Sequence, residues 1–521
     1  MTILEAMRTA IGHYQANRFN EAEQLFQAIL GQQPEDPYAL NFLGLVHKQR
    51  GQMKEAVALM RRSIANNPPI ANLYTNLAGV LLSIGDLKGA EEVCQQALEH
   101  DSMSAQAFLD RGQARWRMGR HEEAVGDFQQ SIELDPLRFD SHSTYGLCLM
   151  DQGKLDEAIT ELQKAADIDP ENAMHRANLG TAMLSAHRVD DAVASYRQAI
   201  EAVPYEPMYH VSLGMALLTG GDYDAGWPEF DWRLQVPSIN PQPRIYIQPR
   251  WDGSPIAGKT LLVYHEEGLN DSIQFARFIA KVAAGGVTVI VECRADLAVL
   301  FKGVTGVAGV VLRGGQELPS FDTHCSLLSL PMRSKINLEN LPNQTPYFSI
   351  PSARTDRMKK RIDQFAGDAK LRVGLSWSNT APGRPAELDR LPQLSVLAPL
   401  ADVAGVRWYG LGPAMVAGQS LNGTELVELP TSFSDFADVA AAVQNLDLVI
   451  TGDTAVAHVA GAMGKETWTL LPFSADWRWL LDREDSPWYP SMRLFRQPAP
   501  HDWTTVAAKV ADALRAKVAG P

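Results

Sequence analysis

A helix that begins where a buried strand ends presents unpaired N–H groups to an anion. Residues 447–464, DLVITGDTAVAHVAGAMG, carry the residue types for that arrangement. Leu446, Leu448, Val449 and Ile450 form an apolar run suited to a parallel strand covered on both faces. A turn at Gly452 leads into a helix that opens on Asp453 and Thr454, either of which can cap it, and that stops at Gly464. Backbone N–H groups at Asp453, Thr454 and Ala455 can bind a diphosphate there, and the Thr454 hydroxyl can add a bond. His458 lies one turn on, on the same helix side as Thr454. It can reach a phosphate or a ribose, or it can satisfy a local hydrogen bond. Asp453 beside a diphosphate is repulsive, so its expected work is bonding the turn or a sugar hydroxyl. The same residues also compose an ordinary strand–helix unit with a good cap, and both readings remain open at this level.

Such a site needs a parallel sheet to carry it. KTLLVYH and GVTVIVEC read as strands flanking a helix, DSIQFARFIAKVAAGG, and LRVGLSWS, GVRWYGLG, LDLVIT and ETWTLLPF continue the alternation. Alternating strands and helices imply doubly wound parallel sheets. The charged helical stretch SARTDRMKKRIDQFAGDAK divides two such units, giving Rossmann-like halves over residues 259–351 and 352–521. Two halves facing a cleft is the GT-B arrangement or that of a related two-domain nucleotide enzyme.

The first half of the chain repeats. Gly44, Gly112, Gly146, Gly180 and Gly214 share one phase of a 34-residue ruler, with Ala10 and Ala78 in the other two slots. Twelve residues later stand Ala22, Ala56, Ala90, Ala124, Ala158 and Ala192, then Gly226, and prolines such as Pro34, Pro136 and Pro204 close the units. Seven units over residues 1–235 resemble tetratricopeptide repeats, each a helix–turn–helix. Stacking them makes a groove lined mainly by first helices. Asn76, Asp110, Thr144, Asn178 and Ser212 form one short polar row there, similar to the asparagine ladder in the repeats of eukaryotic O-GlcNAc transferase. The row can hydrogen-bond the backbone of an extended peptide, or it can be a solvated groove face. Trp227, Phe230 and Trp232 are expected to cap the array, and the proline-rich residues 236–258 to form an extended linker.

Composition narrows the function classes. A formal net charge of −14 argues against general nucleic-acid binding and against docking on anionic lipid. No apolar run reaches the length of a membrane span, and the amino terminus lacks a secretory pattern. Cys94, Cys148, Cys293 and Cys325 are far apart without CxxC spacing, which suggests a reducing compartment. A cytoplasmic location is expected. No GxxxxGK[ST], HExxH or GxSxG motif supports an ATPase, zinc protease or α/β-hydrolase.

EEGLNDSIQFARF, GLSW, the run from Asp435 to Phe473 and DWRWLLDREDSPWYPSMRLFRQ resemble the heptosyltransferase-type family 9 glycosyltransferases. More narrowly, the chain resembles bacterial proteins that join tetratricopeptide repeats to such a domain. The resemblance implies an all-α tetratricopeptide solenoid followed by an α/β GT-B unit, with residues 259–351 on the acceptor side and 352–521 on the donor side. It also implies a nucleotide-sugar substrate and inverting transfer with no cofactor or essential metal.

Inverting transfer needs a base near the acceptor hydroxyl and positive charge for the departing phosphate. By the resemblance, Asp271 of the EGLND turn is the candidate base; it can equally be a helix cap. Its strand-end neighbours Glu266 and Glu267 are the alternatives. Asn270 stands where relatives usually have glycine and is expected to keep a left-handed turn. Arg390 matches the relatives' phosphate-binding arginine, with Arg384 as runner-up, and a solvated loop arginine is the other reading. Ser376 and Asn379 are placed to line the cleft. The loop NTAPGRPAELDR lacks the relatives' His–Lys–Asn-like run, so its chemistry can differ. Trp477, Trp479, Trp488 and Tyr489 fit packing of the chain's tail against the other half better than sugar stacking.

The expected function is transfer of a sugar to Ser or Thr of a protein held by the repeats, flagellin or another surface protein by family analogy. The alternatives are a saccharide or lipid-linked acceptor with the repeats used for docking, and an inactive scaffold.

Overall fold

The computed structural model describes residues 2–65, 68–266, 268–315, 318–377, 394–411, 420–429 and 433–520. The chain forms two compact units, Met1–Leu179 and Gly180–Pro521. The first is built of helix pairs, from Ile3–Gln15 and Phe19–Gln32 through Phe139–Asp151 and Leu155–Ile168. The small residues of the repeat ruler have a steric reason. A Cβ added at Gly44 would lie 2.7 Å from Met60, at Gly112 2.8 Å from Phe128, and at Gly146 2.6 Å from Leu162. Each glycine thus lets its helix close onto the large side chain sixteen positions later.

A second repeating slot, silent in composition, shapes the turn inside each pair. Asn17, Gly51, Gly85, Gly119, Gly153, His187 and Gly221 fall 34 residues apart, and all have positive φ. A left-handed residue at this place ends one helix and launches the next. His187 is the departure, and it makes contacts a glycine could not. Its Nε2 bonds the Phe473 carbonyl at 2.8 Å, and its ring stacks on Phe473 at 4.2 Å.

The second unit holds the last repeat helices, Val189–Ala202, Pro207–Thr219 and Tyr223–Phe230, together with the described β-strands. The compact division at Leu179 therefore differs from the expected boundary at residue 235. The reason is aromatic packing. Trp227 meets Trp477 edge-on at 5.4 Å, its indole N–H donates to the Ile336 carbonyl, and the Trp488 N–H donates to the Tyr223 hydroxyl. Trp477, Trp479, Trp488 and Tyr489 are all buried, as packing residues should be. Trp232 instead stacks on His210 at 4.0 Å. Residues of the expected linker are tied down too: Arg244 and Tyr246 bond Glu292, and Arg250 bridges His324 in parallel register.

The first sheet comprises β1 (Thr260–Tyr264), β2 (Thr288–Cys293), β3 (Val307–Leu312) and β4 (Thr323–Ser326), all parallel in the order β3-β2-β1-β4. The remaining strands are β5 (Leu371–Leu375), β6 (Val406–Gly410), β7 (Ser420–Leu421), β8 (Thr424–Glu425), β9 (Val427–Glu428), β10 (Leu448–Gly452), β11 (Thr467–Leu471) and β12 (Met492–Arg496). β7 and β8 form a small antiparallel hairpin turned by Asn422 and Gly423, both with positive φ. The other six make a parallel sheet in the order β12-β11-β10-β5-β6-β9. Counted within that sheet, with β5 first and β12 sixth, the order is 3-2-1-4-5-6, a doubly wound arrangement whose direction reverses between β5 and β10. Ligands of such sheets sit outside the carboxyl ends of the strands at that reversal.

Candidate functional site: a helix start at the strand reversal

β10 is buried along its whole length, and Asp447 at its foot holds β5 beside it through a two-oxygen contact with Arg372. The strand ends at Gly452 and the helix Ala455–Ala462 follows, with Thr454 at the N-cap position. No side chain caps this helix, because the Thr454 hydroxyl turns to the Thr451 hydroxyl at 3.0 Å. Asp453 does not cap either. Gly464, at φ +68°, ends the helix as its sequence position suggests. Open first-turn N–H groups thus stand at the carboxyl end of β10, at the reversal point. Ser376 follows β5 on the other side of that point, and its N–H donates to the Ile450 carbonyl.

His458 lies inside rather than on the cleft wall. It is 0% exposed, its Nδ1 is 3.0 Å from the Tyr489 hydroxyl, and its ring stacks against Trp479. Its Nε2 stands 3.5 Å from Asp453 Oδ1, which is ion-pair range but not an aligned hydrogen bond. Direct contact with a phosphate or ribose does not fit that burial; the local hydrogen-bonding role does, with His458 placing Asp453. Burial alone would raise the Asp453 carboxyl, but His458 and Arg478 more than offset it and hold it below the usual range. Gly461 lets this helix close on Tyr489, since a Cβ there would lie 2.5 Å from the tyrosine ring.

Asp271 faces the same region from the other half. The helix carrying it starts at Leu269, earlier than the expected start near Ser272, so Asn270 is helical rather than left-handed. Gly268 at its N-cap has an ordinary φ of −72°, so it is needed for room and not for conformation. A Cβ at Gly268 would collide with the Asp271 carboxylate. Gly268→Ala is expected to leave the melting temperature nearly unchanged while displacing this carboxylate. The Asp271–Arg478 contact should be lost, and a crystal structure of the variant beside its melting curve checks it.

Asp271 is not a free carboxylate. Its Oδ1 is paired with Arg478, whose Nε donates to Gln274 Oε1 at 2.5 Å and whose other terminal nitrogen donates to Asp476 at 2.7 Å. Burial raises the Asp476 carboxyl, and Asp453 and Asp271 add repulsion against the pull of Arg478. Arg478 is the functional candidate that sequence reasoning missed, hidden in the aromatic run DWRW. Glu266 is committed elsewhere: Arg233 grips both its oxygens, at 2.6 and 3.0 Å. Glu267, Asn379, Arg384 and Arg390 lie outside the described residues.

In the first unit, Asp110 is buried and Asn76 and Thr144 are partly exposed; in the row's continuation, Asn178 and Ser212 are also partly exposed. Asn76 donates to Asn41 at 2.7 Å, and Asp110 accepts from Gln106 at 2.8 Å. Family models for the tetratricopeptide repeat match residues 7–71, 49–106, 109–173 and 149–218. The first half is a tetratricopeptide array. A curated relative, Protein FlbA of Caulobacter vibrioides, is 26% identical over 328 residues, which cover 57% of this chain. The chain spans about half (53%) of that relative's length. Among solved structures, similarity extends to the APC/C hetero-tetramer Cut9–Hcn1, at 16% identity and TM-score 0.38, covering 42% of this chain and 43% of that one. It extends also to MamA, at 21% identity and TM-score 0.28, covering 32% of this chain and 96% of that one. YrrB, described as a TPR protein with an unusual peptide-binding site, shows 19% identity and TM-score 0.28 over 35% of this chain and 95% of its own.

Within the tetratricopeptide array, burial pushes the Asp110 carboxyl up to about 7, with Gln106 and Arg138 opposing the shift. An unfolded aspartate titrates near 3.9, so between about pH 4 and 7 only the folded chain holds this proton. Stability contributed here is fully present below about pH 4 and is lost progressively as pH rises to about 7. Asp110→Asn, neutral at every pH, should flatten that fall of up to about 1.4 kcal/mol per pH unit. Denaturation of both proteins at pH 4 and 8 checks it: the variant should gain at pH 8 and little at pH 4.

Proposed function

We propose that the chain is a glycosyltransferase that moves a sugar from a nucleotide-sugar donor to Ser or Thr of a protein acceptor. The observation that carries this reading is the uncapped helix start at the β5/β10 reversal, with Asp271 of the other half facing the same region. The donor diphosphate lies on the first-turn N–H groups of the helix Ala455–Ala462, and Ser376 and Thr454 border it. Asp271 takes the acceptor hydroxyl proton, the oxygen attacks the anomeric carbon with inversion, and the nucleotide departs. The tetratricopeptide array, through Asn76, Thr144 and Asn178 of the first unit, holds the acceptor polypeptide, which is flagellin or another bacterial surface protein modified in the cytoplasm. The reaction uses no metal. Among the described residues no helix is long and apolar enough to cross a membrane.

Full-length protein incubated with candidate acceptors and a panel of hexosyl, heptosyl and nonulosonyl nucleotide donors should add whole sugar residues, read by intact-protein mass spectrometry. A folded protein that adds nothing from any donor contradicts the proposal. The Asp271–Arg478 pair also favours a second reading, a scaffold that binds nucleotide without turnover. Nucleotide binding with no transfer, and no change on Asp271→Ala, would select it.

A further inference from the structure

A base must reach the acceptor proton, yet the Asp271 Oδ1 is occupied by the Arg478 guanidinium. The resolution rests on the transferase reading above and begins with what surrounds Arg478. The residue is 8% exposed, and its guanidinium carbon lies 4.7 Å from the centre of the Trp477 ring. Trp477 is itself buried, so the cation rests on a fixed indole and cannot swing away into the core. Asp271 and Asp476 bond it directly, and Asp453, one residue before the N-cap of the donor helix, acts on it electrostatically. Three carboxylates thus attend one guanidinium. Gln274, Asp476 and Asp271 already bond its three nitrogens, so a diphosphate arriving at the helix start gains the fork of this guanidinium only by displacing a partner.

Asp271 is the one to leave. It belongs to the other half and holds Arg478 through one side-chain contact, with no bond to the Arg478 backbone. Asp476 is two residues from Arg478 and also accepts the Arg478 backbone N–H, so it cannot depart without breaking its own turn. Two other buried guanidinium groups of this unit are committed. Arg277 is bonded to the carbonyls of Trp488 and Pro342 inside an aromatic cage, and Arg233 grips Glu266.

We propose that Arg478 is the cation that receives the departing phosphate, and that donor binding exchanges its Asp271 bond for a phosphate bond, freeing Asp271 as base only when donor is present. The planar fork that holds a carboxylate fits a phosphate equally well. With donor seated, the acceptor O–H proton passes to Asp271 and the oxygen forms its bond to the anomeric carbon. The bond from that carbon to the phosphate oxygen breaks, its electron pair stays on the phosphate, and the new charge falls on Arg478 and the helix N–H groups. Asp271 returns its proton to water when the nucleotide leaves, and the carboxylate pairs again with Arg478. Donor must therefore bind before a productive acceptor.

Titration calorimetry of the full-length protein with UDP, GDP, ADP and CMP tests the exchange through an unusual sign. Asp271→Asn removes the competing charge and should bind the preferred nucleotide about tenfold tighter, as expected if roughly nine-tenths of the free protein is held in the paired state. Arg478→Lys keeps a charge but loses the fork, and should bind about tenfold more weakly. The double variant should lose the gain from Asp271→Asn. Equal or weaker binding by a folded Asp271→Asn protein overturns the exchange while leaving the donor site standing, because nucleotide still binds. Binding of none of the four to wild type or variant removes the donor site and the exchange together.

Discussion

Replacing Asp271 by asparagine is expected to lower the rate of sugar transfer by about 10²- to 10⁴-fold, the usual contribution of a positioned general base. The fold should survive. Asparagine has the same shape, can still accept from Arg478, and finds the same room beside Gly268. As the proposed base, Asp271 acts on the acceptor proton, so the loss should fall on kcat. Single-turnover transfer at saturating donor, followed by acceptor mass, reads it. A variant that keeps more than about a tenth of the wild-type rate would place the base elsewhere, because a tenfold loss is below the range a general base supplies.

Arg233→Met is expected to cost about 3–5 kcal/mol of stability, the scale for stranding a buried charge. The Arg233 side chain is 2% exposed, and besides Glu266 it bonds Asp231 at 3.2 Å and Ser329 at 3.1 Å. It joins the segment that follows the last repeat to the carboxyl ends of β1 and β4, because Glu266 also accepts from Ser326. In the first sheet, then, the protein fills the crevice at its own strand reversal with an ion pair, whereas the second sheet leaves its reversal to an open helix start. Removing Arg233 leaves Glu266 charged with only Ser326 to satisfy it, while Asp231 keeps Arg250 and Arg333. Adding Glu266→Gln should recover much of the loss, since the uncompensated charge goes with it. Chemical denaturation of the two single variants and the double variant gives the coupling. Equal stability of Arg233→Met and wild type would contradict the account of the clamp.

The repeats were legible because sterics impose the same small residue at one place in every unit, so Gly44, Gly112 and Gly146 announce the period directly. The left-handed turn slot was not legible. Asn17, five glycines and His187 satisfy one backbone requirement with three residue types, and only the dihedral angles unite them. The segment 447–464 could be read because its signals are local: an apolar strand, a turn, a helix start and Gly464. Of its residues, His458 was the one whose two readings only burial could separate. Arg478 was invisible since its partner Asp271 is 207 positions away and no spacing rule links them. β3, with a glycine inside VAGVVL, and the four-residue THCS of β4 carry too weak a pattern to stand out. The division at Leu179 escaped because the ruler runs on through it, while the aromatics of the seventh unit pack against residues some 250 positions later.

The central claim is that a nucleotide diphosphate sits on the helix start at the β5/β10 reversal. Uncapped first-turn amides exchange their hydrogens readily, and a phosphate bonded to them should slow that exchange. Hydrogen exchange of the full-length protein, with and without whichever of UDP, GDP, ADP or CMP raises its melting temperature, tests this directly. The amides of Ala455, Val456 and Ala457 should gain protection, together with the segment around Arg478, while the Arg233–Glu266 crevice of the first sheet stays unchanged. Stabilisation by a nucleotide with no added protection at residues 455–457 would contradict it.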